Sequence, residues 1–321
     1  MKLKSFYEKA IKAGVDVDLR GKKTIEELLS ERKKDYEKLS VKEKEYFDTD
    51  NLINPFEDTR ILNGAPDAEI NSIIVGIDVE AGELAAVDAL RRSGTQIDLA
   101  LAHHPEGNAY AIFPQVMDLQ IDAFFNKGIS IAAAENLLGP RKDKVLRSVH
   151  GANHQRAVDI ARLLNINMMC IHTPADNHAH DFLTTMVDKE KPKNLGAIID
   201  MLFTIPEYQQ AARQNNAPQI TIGSKASRVN KVQIEFTGGT EGPVEIYEKL
   251  AAQGVDTIIA MHQSQEHHEK CKAANINVII ASHIASDNLG VNLILDKIIG
   301  NDKIKVYEFS GFRRVSRKKA A

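Results

Sequence analysis

The chain has 321 residues, 43% of them hydrophobic and 26% charged, enough for one large domain or two ordinary ones around a substantial core. A formal net charge of −3 makes nucleic acid an unlikely general partner, because such binders rely on a positive face. No apolar run approaches the roughly 20 residues that span a bilayer, and the start, Met1 to Glu8, lacks an apolar signal core, so a cytoplasmic location with no membrane contact is the default expectation.

Residues 1–58 read as a helical extension packed on the main body, with lysines and glutamates interleaved as on a solvated helix face. Thr24 with Glu27 and Ser40 with Glu43 have capping-box spacing. A first α/β segment occupies 59–187. Thr59 to Leu62 is a short strand, ended by Asn63-Gly64; Ser72 to Asp78 is a buried strand, Gly82 to Arg92 a helix and Ile97 to Ala102 a second buried strand. That β-α-β run implies a parallel pair with a right-handed crossover. Gln115 to Lys127 and Ala152 to Leu164 read as helices, and Ile166 to Ile171 as a strand.

The stretch 188–230 is less regular, with Pro192, Pro206 and Pro218, and is the expected place of a smaller subdomain or insertion holding helices at Asn194 to Leu202 and Glu207 to Gln214. A second α/β segment covers 231–310. Its strand Lys231 to Phe236 leads into the loop Thr237-Gly238-Gly239-Thr240-Glu241-Gly242, and Pro243 is positioned to open a helix that Gly254 closes. Val255 to Met261 and 277–282 are strands around a Gln265 to Ala274 helix; Leu289 to Ile299 is the last clear helix and Lys303 to Phe309 a final strand. The basic tail, 311–321, reads as solvated. The halves 72–104 and 231–283 share a strand–helix–strand outline, as two similar units would.

Three strands empty into metal-ligating side chains. His103-His104-Pro105 follows Ile97 to Ala102, His172 and Asp176 follow Ile166 to Ile171, and His283 and Asp287 follow Asn277 to Ser282. In open α/β sheets ligands gather beyond the carboxyl ends of strands. A mixed imidazole and carboxylate set suits zinc, iron or manganese, and two carboxylates can bridge two ions about 3.5–4 Å apart. Each feature has a plainer reading: Asp287 as the cap of the 289–299 helix, Asp176 as a turn residue, the Gly-Gly loop as a tight turn rather than a phosphate cradle. Glu106, beside the histidine pair, is a candidate general acid or base. His178 and His180 are weaker candidates for the same cleft, and His262, His267 and His268 for ligands or proton shuttles; His150 and His154 read as structural. Cys170 and Cys271 are too few for a disulfide framework and read as buried thiols, with a ligand role open for Cys170, two residues before His172.

These motifs together resemble the NIF3 family, NGG1-interacting factor 3-like proteins often described as GTP cyclohydrolase 1 type 2-like. The matching stretches are Ile74-Val75-Gly76-Ile77-Asp78-Val79, Asp98 to Pro105, His172-Thr173-Pro174-Ala175-Asp176, Lys231 to Ile234 with its Gly-Gly loop, and His283 with Asp287. The resemblance runs from about residue 59 to 300 and leaves out the extension and the tail. It implies an α/β fold of two subdomains with a dinuclear metal site in the cleft between them, and a toroidal homohexamer. By position the ligands would be His103, His104, Asp176, His283 and Asp287, with His172 a ligand or a catalytic neighbour beside Glu106. The family usually carries glutamate where this chain has Asp287 and glycine where it has Ser282; the shorter carboxylate bears on whether both ions can be bridged.

The first functional expectation is a metal-dependent hydrolase of a nucleotide or related small molecule, with GTP as the family-implied candidate and two divalent ions (Zn, Fe or Mn) as cofactor. The alternative is a non-catalytic, metal-binding oligomer that acts through protein partners. A two-metal phosphoesterase of the Asp-His-His type is weakened by Ala102, where that motif needs an aspartate.

Overall fold

A computed structural model describes residues 1–318. The extension forms α1 (Leu3–Asp16), α2 (Lys22–Lys38) and α3 (Val41–Lys44). Ser40 and Glu43 make the expected reciprocal capping box on α3. Thr24 caps nothing, because α2 begins earlier, at Lys22 after Gly21.

The first half of the body then runs β1 (Arg60–Asn63), β2 (Ser72–Gly76), α4 (Ala81–Arg92), β3 (Leu99–Ala102), α5 (Gly107–Ala111), α6 (Leu119–Phe125), α7 (Ile131–His150), α8 (Arg156–Leu163), β4 (Met168–Cys170) and α9 (Thr173–Glu190). The second half runs α10 (Leu195–Leu202), α11 (Pro206–Arg213), β5 (Gln219–Ile222), β6 (Val232–Glu235), α12 (Ile246–Ala252), β7 (Thr257–Ala260), α13 (Gln265–Ala273), β8 (Asn277–Ile280), α14 (His283–Ile299) and β9 (Lys305–Glu308).

Two sheets result, in the orders β1-β4-β3-β2-β9 and β5-β8-β7-β6. In each, an antiparallel edge strand (β1 or β5) flanks parallel strands, and in each that edge carries a register shift. β2, β3, β4 and β7 are buried along their whole length, as apolar runs in a parallel sheet covered on both faces should be. Asp98 accepts the amides of Asn71 and Ser72 at the start of β2, and Asp256 does the same for Asn230 and Lys231 at the start of β6. The shared outline read from the sequence is therefore a repeated unit in three dimensions.

α9 and α14 lie between the two sheets. Ala175 of α9 and Val291, Ile294 and Leu295 of α14 belong to the first sheet's core, while Ala179 and Leu183 of α9 and Ala285 and Leu289 of α14 belong to the second's. α1 adds Leu3, Phe6 and Ala10 to the first core. Gly290 sets the spacing: a Cβ there would overlap the Ala175 carbonyl oxygen, so only glycine lets the helices approach this closely. Among the described residues no helix is long and apolar enough to cross a membrane.

Several sequence boundaries shift. α14 starts at His283, six residues before the expected Leu289, so Asp287 lies inside its first turns and caps nothing. α12 starts at Ile246 rather than Pro243, which leaves the Gly-Gly loop detached from any helix N-terminus. The basic segment is not free: Arg317 pairs both nitrogens with Glu207, and Arg313 and Arg314 engage Asn288, Asn292 and Asp296 along α14. The last three residues of the tail lie outside the described residues.

Candidate metal centre

β3, β4 and β8 deliver His103-His104, His172 and His283 to one place, between the two subdomains. The long helices that follow carry Asp176 and Asp287, each four residues after its histidine and so on the same helical face. Both helix N-termini point at the group, which favours anionic side chains there. The turn into α14 requires Ser282 at φ +81°, in the left-handed region.

The rings are held in one consistent way. His103 Nδ1 lies 2.9 Å from the Ile171 carbonyl, His104 Nδ1 2.6 Å from Asp78 Oδ1, and His172 Nδ1 2.7 Å from Asp58 Oδ2. An Nδ1–H donating to oxygen fixes the tautomer and leaves the Nε2 lone pair free. Those Nε2 atoms converge on the carboxylates. His103 Nε2 is 3.4 Å from Asp176 Oδ1 and 3.5 Å from Asp287 Oδ1. Asp287 Oδ2 is 3.6 Å from both His104 Nε2 and His283 Nε2, and Asp176 Oδ2 is 3.8 Å from His172 Nε2. Three overlapping groups could each hold an ion: His103/His104/His172, His104/His283/Asp287 and His103/Asp176/Asp287.

The electrostatics ask for positive charge at this point. His103 Nε2 and both oxygens of Asp287 are buried and accept or donate no hydrogen bond. Leaving such atoms unpaired is costly unless a cation or a shared proton sits among them. Burial alone would push His103 down, but Asp287 and Asp176 outweigh it and hold the imidazole well above its usual range. Burial would push Asp287 up, and the surrounding imidazoles, His103 first, hold it low instead. His172 is likewise raised against its burial by Asp176 and Asp58, and His283 is lowered, chiefly by burial.

All five residues expected as ligands meet here, and His172 joins them. Glu106 stands apart, at the start of α5, its carboxyl pushed up to about 7 by burial and by Glu80. His178 is buried in α9 on the Pro174 carbonyl and does not join the cluster. Cys170 donates toward the Asp58 carbonyl, its thiol is pushed up to about 12 by burial, and it belongs to none of the three groups that could hold an ion. His262 packs against His283 with ring centres 4.8 Å apart and planes tilted by 55°, at the rim. His267 bonds Ser264 and the Gly242 carbonyl. Sequence reading missed Asp58 and Asp78, the carboxylates that orient His172 and His104; neither falls in a His-containing motif. A cavity adjoins the cluster, reaching from His172, Asp176, His283 and Asp287 to the Gly-Gly loop and the end of β6.

The solved structure of a NIF3 superfamily protein from Sphaerobacter thermophilus superposes with a TM-score of 0.70 at 25% identity, covering 79% of this chain and 91% of that one. A Bacillus cereus protein related to NIF3 (12% identity, TM-score 0.40, 83% of this chain and 94% of that one) is too distant to carry an argument. The same holds for a Thermus thermophilus protein (12% identity, TM-score 0.43, 78% of this chain and 86% of that one). No protein-family model matches the chain, and no curated protein matches it. Fold and motifs together make this an α/β protein with a buried His/Asp group between two subdomains. Its fold is similar to that of the NIF3 superfamily structure, in agreement with the sequence resemblance.

Proposed function

We propose that this chain is a metal-dependent hydrolase of a small molecule, with two divalent ions (Zn, Fe or Mn) held by His103, His104, Asp176, His283 and Asp287. The observation that carries the reading is the buried, unpartnered set of His103 Nε2 and both Asp287 oxygens, beside His103 and His104 rings whose Nδ1 atoms are already committed. Asp287 turns one oxygen to His103 and the other to His104 and His283, and Asp176 is shared in the same way between His103 and His172. The shorter aspartate thus faces both ligand sets. Ions bound there supply Lewis-acid polarisation and lower the pKa of water. The protein's part is to fix the imidazoles through Asp58, Asp78 and the Ile171 carbonyl, to exclude water around Asp287, and to move protons through His172 at the cavity wall.

GTP is the candidate substrate that the family resemblance supplies. The test is elemental analysis of the purified chain, with turnover of GTP and related nucleotides. The expected result is about two ions per chain and metal-dependent turnover, both lost in His103→Ala. Purified protein that takes up none of the three metals in stoichiometric amount overturns the reading. Full metal content with no turnover of any nucleotide favours the partner-binding alternative.

A further inference from the structure

The cavity beside the cluster is a site of unspent acceptors. No lysine or arginine is among its lining residues, while Glu235, Glu241, Asp176 and Asp287 all are. Glu235, at the end of β6, accepts one hydrogen bond among the described residues, from the Tyr247 hydroxyl at 3.3 Å, and has no cationic partner. Burial pushes its carboxyl up to about 7. Glu241 is better held, by the Ser264 amide and beside His267 and His262. An independent observation comes from Gln120, which is 5% exposed and lines the same cavity. Its Nε2 donates to the carbonyls of Gly238 and Thr240, which fixes the amide's orientation, and its Oε1 is buried with no partner. Apolar side chains, Phe124, Phe236, Ile246 and Met261, line the same cavity among polar ones such as His180, Gln233 and Thr237.

We propose that this end of the cavity binds a planar group with paired N–H donors, of the amidinium or guanidinium type, on Glu235 and Gln120, with its apolar body against Phe124 and Phe236. A carboxylate takes such a group through two parallel hydrogen bonds, and a carbonyl oxygen such as Gln120 Oε1 accepts a further N–H. The inference deepens the hydrolase reading and rests on it in one respect: the ligand's other end would face the His/Asp group. An anionic end fits this wall badly, so any phosphate would have to lie toward the metal ions.

The probe is benzamidine, titrated by calorimetry into the full chain stripped of metal and again after metal loading, with benzoate of the same shape as the control. Benzamidine is expected to bind both forms, and benzoate to bind at least about tenfold more weakly. Glu235→Gln should weaken benzamidine by about tenfold or more while leaving metal content unchanged. Benzoate binding as tightly as benzamidine overturns the proposal. So does an affinity unchanged in Glu235→Gln, or one lost in Asp287→Asn instead. If Glu235→Gln fails to fold, the comparison of the two probes on the unaltered chain decides. Metal uptake without benzamidine binding defeats this proposal alone; benzamidine binding without metal uptake defeats only the hydrolase reading.

Discussion

At the scale of single residues, the centre depends on groups that touch no ligand position. Asp58 accepts His172 Nδ1 at 2.7 Å and the Thr173 hydroxyl at 2.6 Å, and lies close to the Thr173 amide, so it fixes both the ring and the start of α9. Asp58→Asn should lower metal affinity about 10–100-fold, read by competition with a chelator, with a smaller loss of stability. Ser282 is a second case. It sits at φ +81° with its hydroxyl buried and unpartnered, at the position where the family usually has glycine. Ser282→Gly removes both penalties and should stabilise the chain by about 1 kcal/mol in denaturant unfolding; a loss would show that the serine makes an essential contact. Glu106 gives a pH test with a definite sign. Its folded-state pKa, about 7, lies above that of an unfolded glutamate, so its contribution is complete at low pH and is lost as pH rises toward and through 7. Glu106→Gln should therefore raise the unfolding temperature relative to the parent at pH 8 and leave it unchanged at pH 4. The histidines and their i+4 aspartates were legible because they directly follow apolar runs. Asp58 and Asp78 were not, because only folding brings them to His172 and His104.

At the scale of elements, the core strands were readable and two of the long helices, α7 and α9, were not. β2, β3, β4, β7 and β8 fall inside the apolar runs that announced them. α7 was missed because Gly139 and Pro140 interrupt it, and Pro140 sits inside the helix. α9 was missed because most of its length, Thr173 to Thr185, is full of Asp, Asn, His and Thr, poor helix formers that tertiary packing overrides. Its burial between the sheets supplies what propensity does not. The consequence is concrete: the pair α9–α14 positions Asp176 against Asp287, and Gly290 is the contact that sets their distance. Gly290→Ala would gain helix propensity but press a methyl into the Ala175 carbonyl, backbone that cannot swing aside. The expected outcome is a net destabilisation of about 1–3 kcal/mol together with a lower metal content. Unchanged stability and metal content would show that the helices can part without moving the aspartates.

At the scale of the whole molecule, the two sheets repeat one plan, and the repeat explains where the chemistry gathers. The strand ends of each unit face the other, β4 and β8 each lead into His-x-x-x-Asp, and the paired helices close the gap. The counterpart of His104 after β3 is His262 after β7, which packs against His283 at the rim. The outline of this repeat was visible in the sequence; the convergence of its two halves depends on packing between elements far apart in the chain. Assembly is the remaining level. The family resemblance implies a homohexamer, and the surface offers apolar side chains to bury: Phe125 is 53% exposed at the end of α6, Ile131 47% and Leu146 45% along α7. Large apolar side chains on neighbouring helices suit a subunit contact better than open solvent. We therefore expect light scattering to give a mass six times that of the 35.6-kDa chain. Phe125→Glu should lower that mass if the α6–α7 face is buried between subunits, with the fold intact by circular dichroism. A monomeric parent chain would end the hexamer expectation, and a hexamer untouched by Phe125→Glu would place the contact on another face.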